Sequence, residues 1–536
     1  MTPAKPTPAQ LAWHNTELGM FIHFSPGTYE NTGGGHDTLT IPPSAINPHL
    51  LDTEQWADVA EAMGAKYVVL VAKHVGGFCL WQTETTDYGV ASTPWREGKG
   101  DIMGDLAESC RKRGLPLGVY LSPQDRHFGA NVGGVCATPE RQAQYDAFYR
   151  QQLTEVLTRY GEMFEVWFDG SNCVDVGDLL AAHAPNAMVF QSPFATIRWV
   201  GNEEGIATYP AWNTVRASEA RSNPTNRHGL PDGEVWMPLE CDARIREHWF
   251  WTDTNHTTLK SVDELMAMYY RSVGNGAVLL LNHAPDTTGR IPEMDAVRAA
   301  EFGREIKRRF GTPVAETQGV GDTIDLPLDG PRMVDHVIMM EDIAEGEHIR
   351  HYVVEGQEAS GWRILCRGTA VGRKRIERFA PVQVSALRLR CLKSVGSPLL
   401  RQFAAYFTDL PFVPSAGPVP LTSYKAGEWG EEIYYGVGWG RSVEIEYDLT
   451  DAVDDAGQFA LSFVQTAGEH GFEIETVSVV VNGTDYPAWV SPTDRPTVFN
   501  LSFPGVFESV RLKAWLRGKD GADCSGEILL TRVRAG

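Results

Sequence analysis

The chain lacks the marks of several protein classes. Its eight cysteines show no CxxC or Cys/His ligand spacing, which speaks against a zinc centre or a disulfide framework. Cys79 and Cys110 fall in apolar segments and read as small buried hydrophobes. No stretch is long and apolar enough to span a bilayer. The first residues, MTPAKPTPAQ, have no apolar signal-peptide core. A cytoplasmic chain is therefore expected, or a secreted one whose leader has been removed. Positive charge is scarce: 47 Lys and Arg face 69 Asp and Glu, for a net charge of −22. That balance argues against nucleic acid, which needs clustered cations, and against an anionic membrane surface. No glycine-rich phosphate loop follows the first predicted strand, so a dinucleotide-binding fold is not expected. No internal repeat is visible.

What is present is a globular composition, 43% hydrophobic and 22% charged over 536 residues, enough for two or three domains. Short apolar runs ending in polar or aromatic residues recur: Leu18–Ser25 with His23, Lys66–His74, Leu117–Ser122 with Tyr120, and Met163–Gly170 with Asp169. Met188–Gln191, Val235–Leu239 and Ala277–Asn282 continue the strand series. Helical spacing alternates with them at Thr53–Gly64, Asp101–Gly114, Pro139–Tyr160, Val262–Ser272 and Asp295–Arg309. Alternating strands and helices imply a parallel sheet. Polar residues at successive strand ends favour a (β/α)8-like barrel, whose site is assembled there. Fewer than eight helices are clear, so an irregular barrel is expected over residues 1–312. Period-two patterns then take over, as in Val382–Cys391 and Ser442–Leu449, with a hairpin signal at Asn482-Gly483. The fold class expected is α/β plus all-β, with β-sandwiches over 313–412 and 413–536 and a linker at Pro411–Pro420.

Asp169 at the end of a buried strand is either a helix cap or a reacting group. Sugar acetal hydrolysis needs a second carboxyl group. Two stretches offer one: IRWVGNEEG with Glu203 and Glu204 beside Arg198 and Trp199, and WMPLECDARIREHWFW with Glu240 and Asp242. Acids amid tryptophans suit sugars, since rings stack on the C–H face while polar groups bond the hydroxyls. A lone histidine at a strand end is more often a satisfied core residue. His23 and His74 on successive strands point instead to hydroxyl ligands on the face that carries Asp169. A metal would need a third convergent ligand, and no HExxH-type spacing supplies it.

The ordered set LGMFIHFSPGTY, GAKYVVLVAKHVGGFCLW, LGVYLSP, EVWFDG, RWVGNEEG, PLECDARIREHWFW and SVGNGAVLLLNHAPDTTGRI resembles family 29 glycoside hydrolases, the retaining α-L-fucosidases. RWVGNE and the two β domains resemble the branch that favours α-1,3 and α-1,4 linkages. The resemblance implies Asp169 as nucleophile and Glu203 as acid/base, with Glu240 as second choice and Glu204 as third. It implies His23, His74, Tyr120, Trp167 and Arg198 around fucose, with Trp81 and Trp249 also in the substrate-binding set. Glu240 and Asp242 fall near the leaving-group sugar. It implies no cofactor or metal, and a fucosylated oligosaccharide or glycoconjugate as partner. Two departures stand out. Val75 replaces the usual second histidine, and residues 30–37 differ from the family's turn, leaving Glu30 and His36 as candidate contacts. The alternatives are a fucose- or glycan-binding protein that has lost turnover, and a glycosidase with a galactose-like glycone.

Overall fold

The computed structural model describes residues 3–31, 37–220, 228–410, 424–429, 442–450, 452–453, 458–467, 471–487, 490–492, 497–503, 509–519 and 525–533. His36 and the linker expected at Pro411–Pro420 lie outside them. Two compact units are present, Met1–Leu410 and Pro411–Gly536.

The first unit is built on a nearly closed sheet of eight parallel strands. In chain order they are β1 (Leu18–Ile22), β2 (Val68–Lys73), β3 (Leu117–Leu121), β4 (Met163–Trp167), β5 (Met188–Phe190), β6 (Arg198–Trp199), β7 (Leu239–Arg244) and β8 (Val278–Asn282). Around the sheet they run β5-β4-β3-β2-β1-β8-β7-β6. Backbone bonds from Thr196 and Ile197 to the Val189 carbonyl link the two end strands. The expected Val235–Leu239 strand is a correction. Val235–Trp236 forms a separate antiparallel ribbon with Thr214–Val215, and the barrel strand starts only at Leu239. Pro238 separates the two, having no N–H for a ladder. Arg198–Trp199, absent from the expected strand series, is β6.

Helices begin where capping side chains dictate. Asp52, Asp101, Thr138 and Ser261 each accept the N–H of the third residue after them. Alternation along the strands divides the barrel into two apolar layers. Phe21, Tyr67, Val71, Trp167, Phe190 and Leu280 fill the interior, where Trp13 of the Pro8–His14 helix joins them. Met20, Ile22, Leu70, Val119 and Leu281 face the surrounding helices. Gly19 makes room for the interior: a Cβ there would sit 2.4 Å from the Tyr67 ring.

Residues 315–406 of the same unit form one six-stranded antiparallel sheet. Its strands Thr323–Glu341 and Arg375–Ser394 carry register shifts, and Ile324, Leu326, Val337, Met339 and Phe403 share one core. The opposite face, with Ile338, Met340 and Ala404, packs into the barrel's outer layer. Among its described residues, the second unit has a five-stranded and a four-stranded sheet around a common core. Its Asn482-Gly483 hairpin is as expected: Val481 pairs with Thr484, and both turn residues have positive φ, 49° and 82°. Among the described residues, no helix is long and apolar enough to cross a membrane.

Candidate active site

Five strand ends converge at one mouth of the barrel. His23 follows β1, His74 follows β2, Tyr120 lies in β3, Trp167 and Asp169 sit at and just past the end of β4, and Asn282 closes β8. A register shift between Val71 and Lys73 decides where His74 points. The extra residue turns Lys73 outward onto Asp125 and Gln152 and returns His74 to the interior. The His74 ring then stacks on Tyr120, with centroids 5.7 Å apart, and meets His23 at 6.0 Å. Trp167 stacks between Tyr120 at 5.8 Å and Phe190 at 3.6 Å. Tyr120 donates its hydroxyl hydrogen to Asp169 Oδ2 at 3.0 Å. Gly170 and Ser171, at φ 72° and 70°, break the chain away just after that carboxylate.

His23 has a defined tautomer. Asn282 Nδ2 donates to the Trp249 carbonyl at 2.8 Å, so Asn282 Oδ1 is the atom facing His23 Nδ1, also at 2.8 Å. Nδ1 therefore donates and Nε2 is an acceptor in the neutral ring. Burial, helped by Arg244, lowers the imidazole pKa to about 3, so the ring stays neutral across physiological pH.

The second acidic group comes from the turn after β6. Asn202 accepts the Glu204 N–H and donates to the Ile206 carbonyl, an arrangement that holds Glu203 at the tip. Glu203 is exposed. Its Oε2 accepts the Trp249 indole N–H at 3.1 Å and lies 3.3 Å from an Arg244 guanidinium nitrogen. Arg244 in turn lies over the Trp249 ring, 5.1 Å from its centroid. Asp242 is buried and accepts the Trp199 indole at 2.6 Å. Burial raises its pKa to about 8, and the charges of Glu203 and Asp169 add to the rise.

Other expected residues stand elsewhere. Trp81 is fully buried on the helix side of the sheet, bonded to Glu155 at 2.8 Å. Alternation in β6 turns Trp199 inward and Arg198 outward. Arg198 is buried with its guanidinium on the Trp212 carbonyl and under the influence of Glu347, so it does not enter the ring cluster. Glu204 pairs its backbone with Ala243 and directs its charge toward Arg271. Glu240 is fully buried beneath Trp167, which donates to it at 2.8 Å. It therefore lies in the barrel interior beneath the Trp167 ring. Val75 is buried, and Gly76 beyond it packs on Asp37, whose carboxyl accepts the Tyr88 hydroxyl at 3.1 Å. A Cβ at Gly76 would sit 1.9 Å from Asp37 Oδ2. Glu30 accepts the Thr38 N–H and hydroxyl.

Sequence reasoning missed Phe21, Arg244, Phe250 and Asn282. Arg244 follows Glu240 and Asp242 with period two, and Asn282 ends a predicted strand, so both carried the signal that singled out His23. Phe250, 5.1 Å from His74 and 5.4 Å from His23 between ring centroids, carried none.

A parallel barrel with carboxylates and stacked rings at the C-terminal mouth of its strands defines a glycoside hydrolase of (β/α)8 type. A family model for alpha-L-fucosidase matches residues 29–309. Alpha-L-fucosidase 1 of Arabidopsis thaliana is 31% identical over 455 residues, spanning 75% of this chain and 87% of the relative. Among solved structures, a glycoside hydrolase 29 family member from an unknown rumen bacterium matches with a TM-score of 0.69 at 25% identity, covering 97% of this chain and 99% of that one. A family 29 fucosidase of Ruminococcus gnavus in complex with fucose matches with a TM-score of 0.67 at 27% identity, over 76% of this chain and 96% of that one. The chain belongs to the alpha-L-fucosidase family and is a glycoside hydrolase of that activity.

Proposed function

We propose that the chain is a retaining exo-α-L-fucosidase acting on terminal fucose in α-1,3 or α-1,4 linkage on branched, Lewis-type glycans. In this reading 1–312 is the catalytic domain, and 313–412 and 413–536 are accessory β domains. The observation that carries the site assignment is the convergence of His23, His74, Tyr120 and Trp167 on the Asp169 carboxylate at one mouth of the barrel. The fucose complex of the Ruminococcus gnavus relative supports the same glycone.

Asp169 attacks the anomeric carbon while Tyr120 holds one of its carboxylate oxygens. The bond to the leaving oxygen breaks, and that oxygen takes a proton from Glu203. Trp249 and Arg244 both hold Glu203 Oε2, which leaves Oε1 to carry the proton. In the second half Glu203 removes a proton from water, the oxygen bonds the anomeric carbon, and Asp169 departs with retention of configuration. This requires the two carboxyl groups to come within about 5.5 Å in the reacting complex. His23 Nε2 accepts a sugar hydroxyl, and His74, Tyr120 and Trp167 form the wall and floor of the glycone pocket. Arg244, Trp249 and Asp242 face the leaving group.

The test is release of fucose from a Lewis-type trisaccharide and from an aryl α-fucoside by wild type, Asp169→Ala and Glu203→Ala, with the first-formed anomer read by NMR. Release by wild type alone, with the α anomer first, supports the reading. Activity in Glu203→Ala on both substrates removes Glu203 as proton donor. Binding without turnover by wild type favours a glycan-binding protein, and preference for an aryl galactoside shifts the glycone.

A further inference from the structure

Two carboxyl groups beneath Trp167 take no part in the proposed chemistry. Glu165 on β4 and Glu240 on β7 are both 0% exposed. Trp13 Nε1 donates to Glu165 Oε2 at 2.7 Å. Trp167 Nε1 donates to Glu240 Oε1 at 2.8 Å, and the Tyr67 hydroxyl donates to Glu240 Oε2 at 3.2 Å. Three of the four oxygens are thereby satisfied. The fourth, Glu165 Oε1, is buried and receives no hydrogen bond from any conventional donor. Glu165 lies two residues before Trp167 in β4, and Trp167 donates to Glu240, so both carboxyls enter the barrel interior beneath that ring. The strongest influences on the pair are the two carboxyls themselves, Trp13, Trp167, Tyr67 just before β2, and Asp242 further along β7, and none of these is a cation.

Two carboxylates cannot both ionise in a dry interior without a positive partner, because desolvation and mutual repulsion add. A proton placed between them removes one charge and supplies the missing donor. We infer that Glu165 and Glu240 share one proton, and that this acid–carboxylate pair positions the Trp167 indole under the glycone pocket. Burial raises both groups above the ordinary carboxylate range; Glu165 adds to the rise at Glu240, whereas the bond with Glu240 works against the rise at Glu165. Tyr67, itself pushed far up by burial and by both glutamates, offers no base to take the proton. The kinetic part of this inference rests on the proposed pocket, whereas the shared proton does not.

The decisive measurement is infrared difference spectroscopy on the full chain at neutral pH, wild type minus Glu165→Gln and wild type minus Glu240→Gln, in H2O and D2O. Each difference is expected to contain one carboxylic-acid C=O band that moves to lower frequency in D2O. Subtraction cancels other protonated acids such as Asp242. Differences that contain only ionised-carboxylate bands overturn the shared proton. The kinetics should be asymmetric. A glutamine at 165 accepts from Trp13 and donates to Glu240, so E165Q keeps kcat/KM within about threefold on an aryl α-fucoside. A glutamine at 240 has one carbonyl oxygen for two donors, so E240Q loses Trp167 or Tyr67 and falls about tenfold or more. Equal kinetics in the two variants overturn the positioning role. If wild type hydrolyses no fucoside, the proposed function fails while the infrared bands still decide the proton.

Discussion

Tyr120 donates to Asp169 Oδ2 at 3.0 Å, so an aromatic residue in β3 sets the orientation of the carboxylate just past β4. Burial and the charge of Asp169 raise the Tyr120 pKa well above its ordinary value, so the phenol remains a donor throughout the working pH range. Tyr120→Phe keeps the stacking on His74 and Trp167 but removes the bond. We expect kcat/KM on an aryl α-fucoside to fall about 10- to 100-fold, with melting temperature little changed. A loss confined to thermal stability would deny the orienting role.

Asn282 should act on substrate through His23. Asn282→Leu removes the acceptor for His23 Nδ1 and the donor to the Trp249 carbonyl. The imidazole is then free to present Nε2–H instead of a lone pair. KM for an aryl α-fucoside should rise about 5- to 100-fold, more than kcat changes. Equal falls in kcat and kcat/KM would place the effect in the transition state alone.

Asp242 gives the fold a pH dependence. Its pKa rises from 3.8 to about 8 on folding, chiefly through burial. The unfolded chain therefore loses this proton near pH 4 while the folded chain keeps it to about pH 8. Across that window the unfolded state binds fewer protons, so stability falls as pH rises, by up to about 1.4 kcal/mol per unit. Asp242→Asn abolishes the penalty while leaving a group able to accept from Trp199. Melting curves between pH 5 and pH 8 should show the variant gaining on wild type as pH increases. A constant difference would mean that Asp242 is ionised throughout.

Gly76 has a steric reason to be glycine, and its φ is not in the left-handed region. Gly76→Ala places a methyl group 1.9 Å from Asp37 Oδ2, whose carboxyl is held by Tyr88. Overpacking of this kind costs about 1–3 kcal/mol. Denaturant unfolding should show a lower midpoint with an unchanged slope. An unaffected midpoint would show that residues 37–40 yield freely.

The parts of the site that were legible lay at ends of long apolar strands. His23, Tyr120 and Asp169 each close a run whose burial is unmistakable, and period two then fixes which face they occupy. Parity fails where a strand is too short or is bulged. β6 is two residues long, so nothing in RWVGNE says that Trp199 faces inward and Arg198 outward. The shift in β2 is equally silent, and His74 reaches the pocket only because of it. Depth along a strand is a separate problem. Glu240 and Asp242 sit on the same face of β7, yet one lies under the floor and the other near the mouth. Trp81 shows the limit for aromatics: its indole N–H is satisfied by Glu155, and composition does not separate a core ring from a pocket ring.

The closure through Thr196 and Ile197 gives the barrel a seam. Seven parallel ladders tie its eight strands in a row, while the joint between β5 and β6 rests on two backbone bonds to the Val189 carbonyl and one from the Val189 N–H to the Thr196 hydroxyl. The proposed glycone residues His23, His74, Tyr120, Trp167 and Asp169 belong to the continuous side of the ring. Glu203 hangs from the seam side, anchored through Trp249 and Arg244. Sequence drift or a grafted insertion at the seam would thus re-aim the proposed proton donor and the surface proposed to meet the rest of the glycan, while the part proposed to recognise the terminal sugar keeps its shape. Linkage preference and sugar preference become separable traits of one barrel.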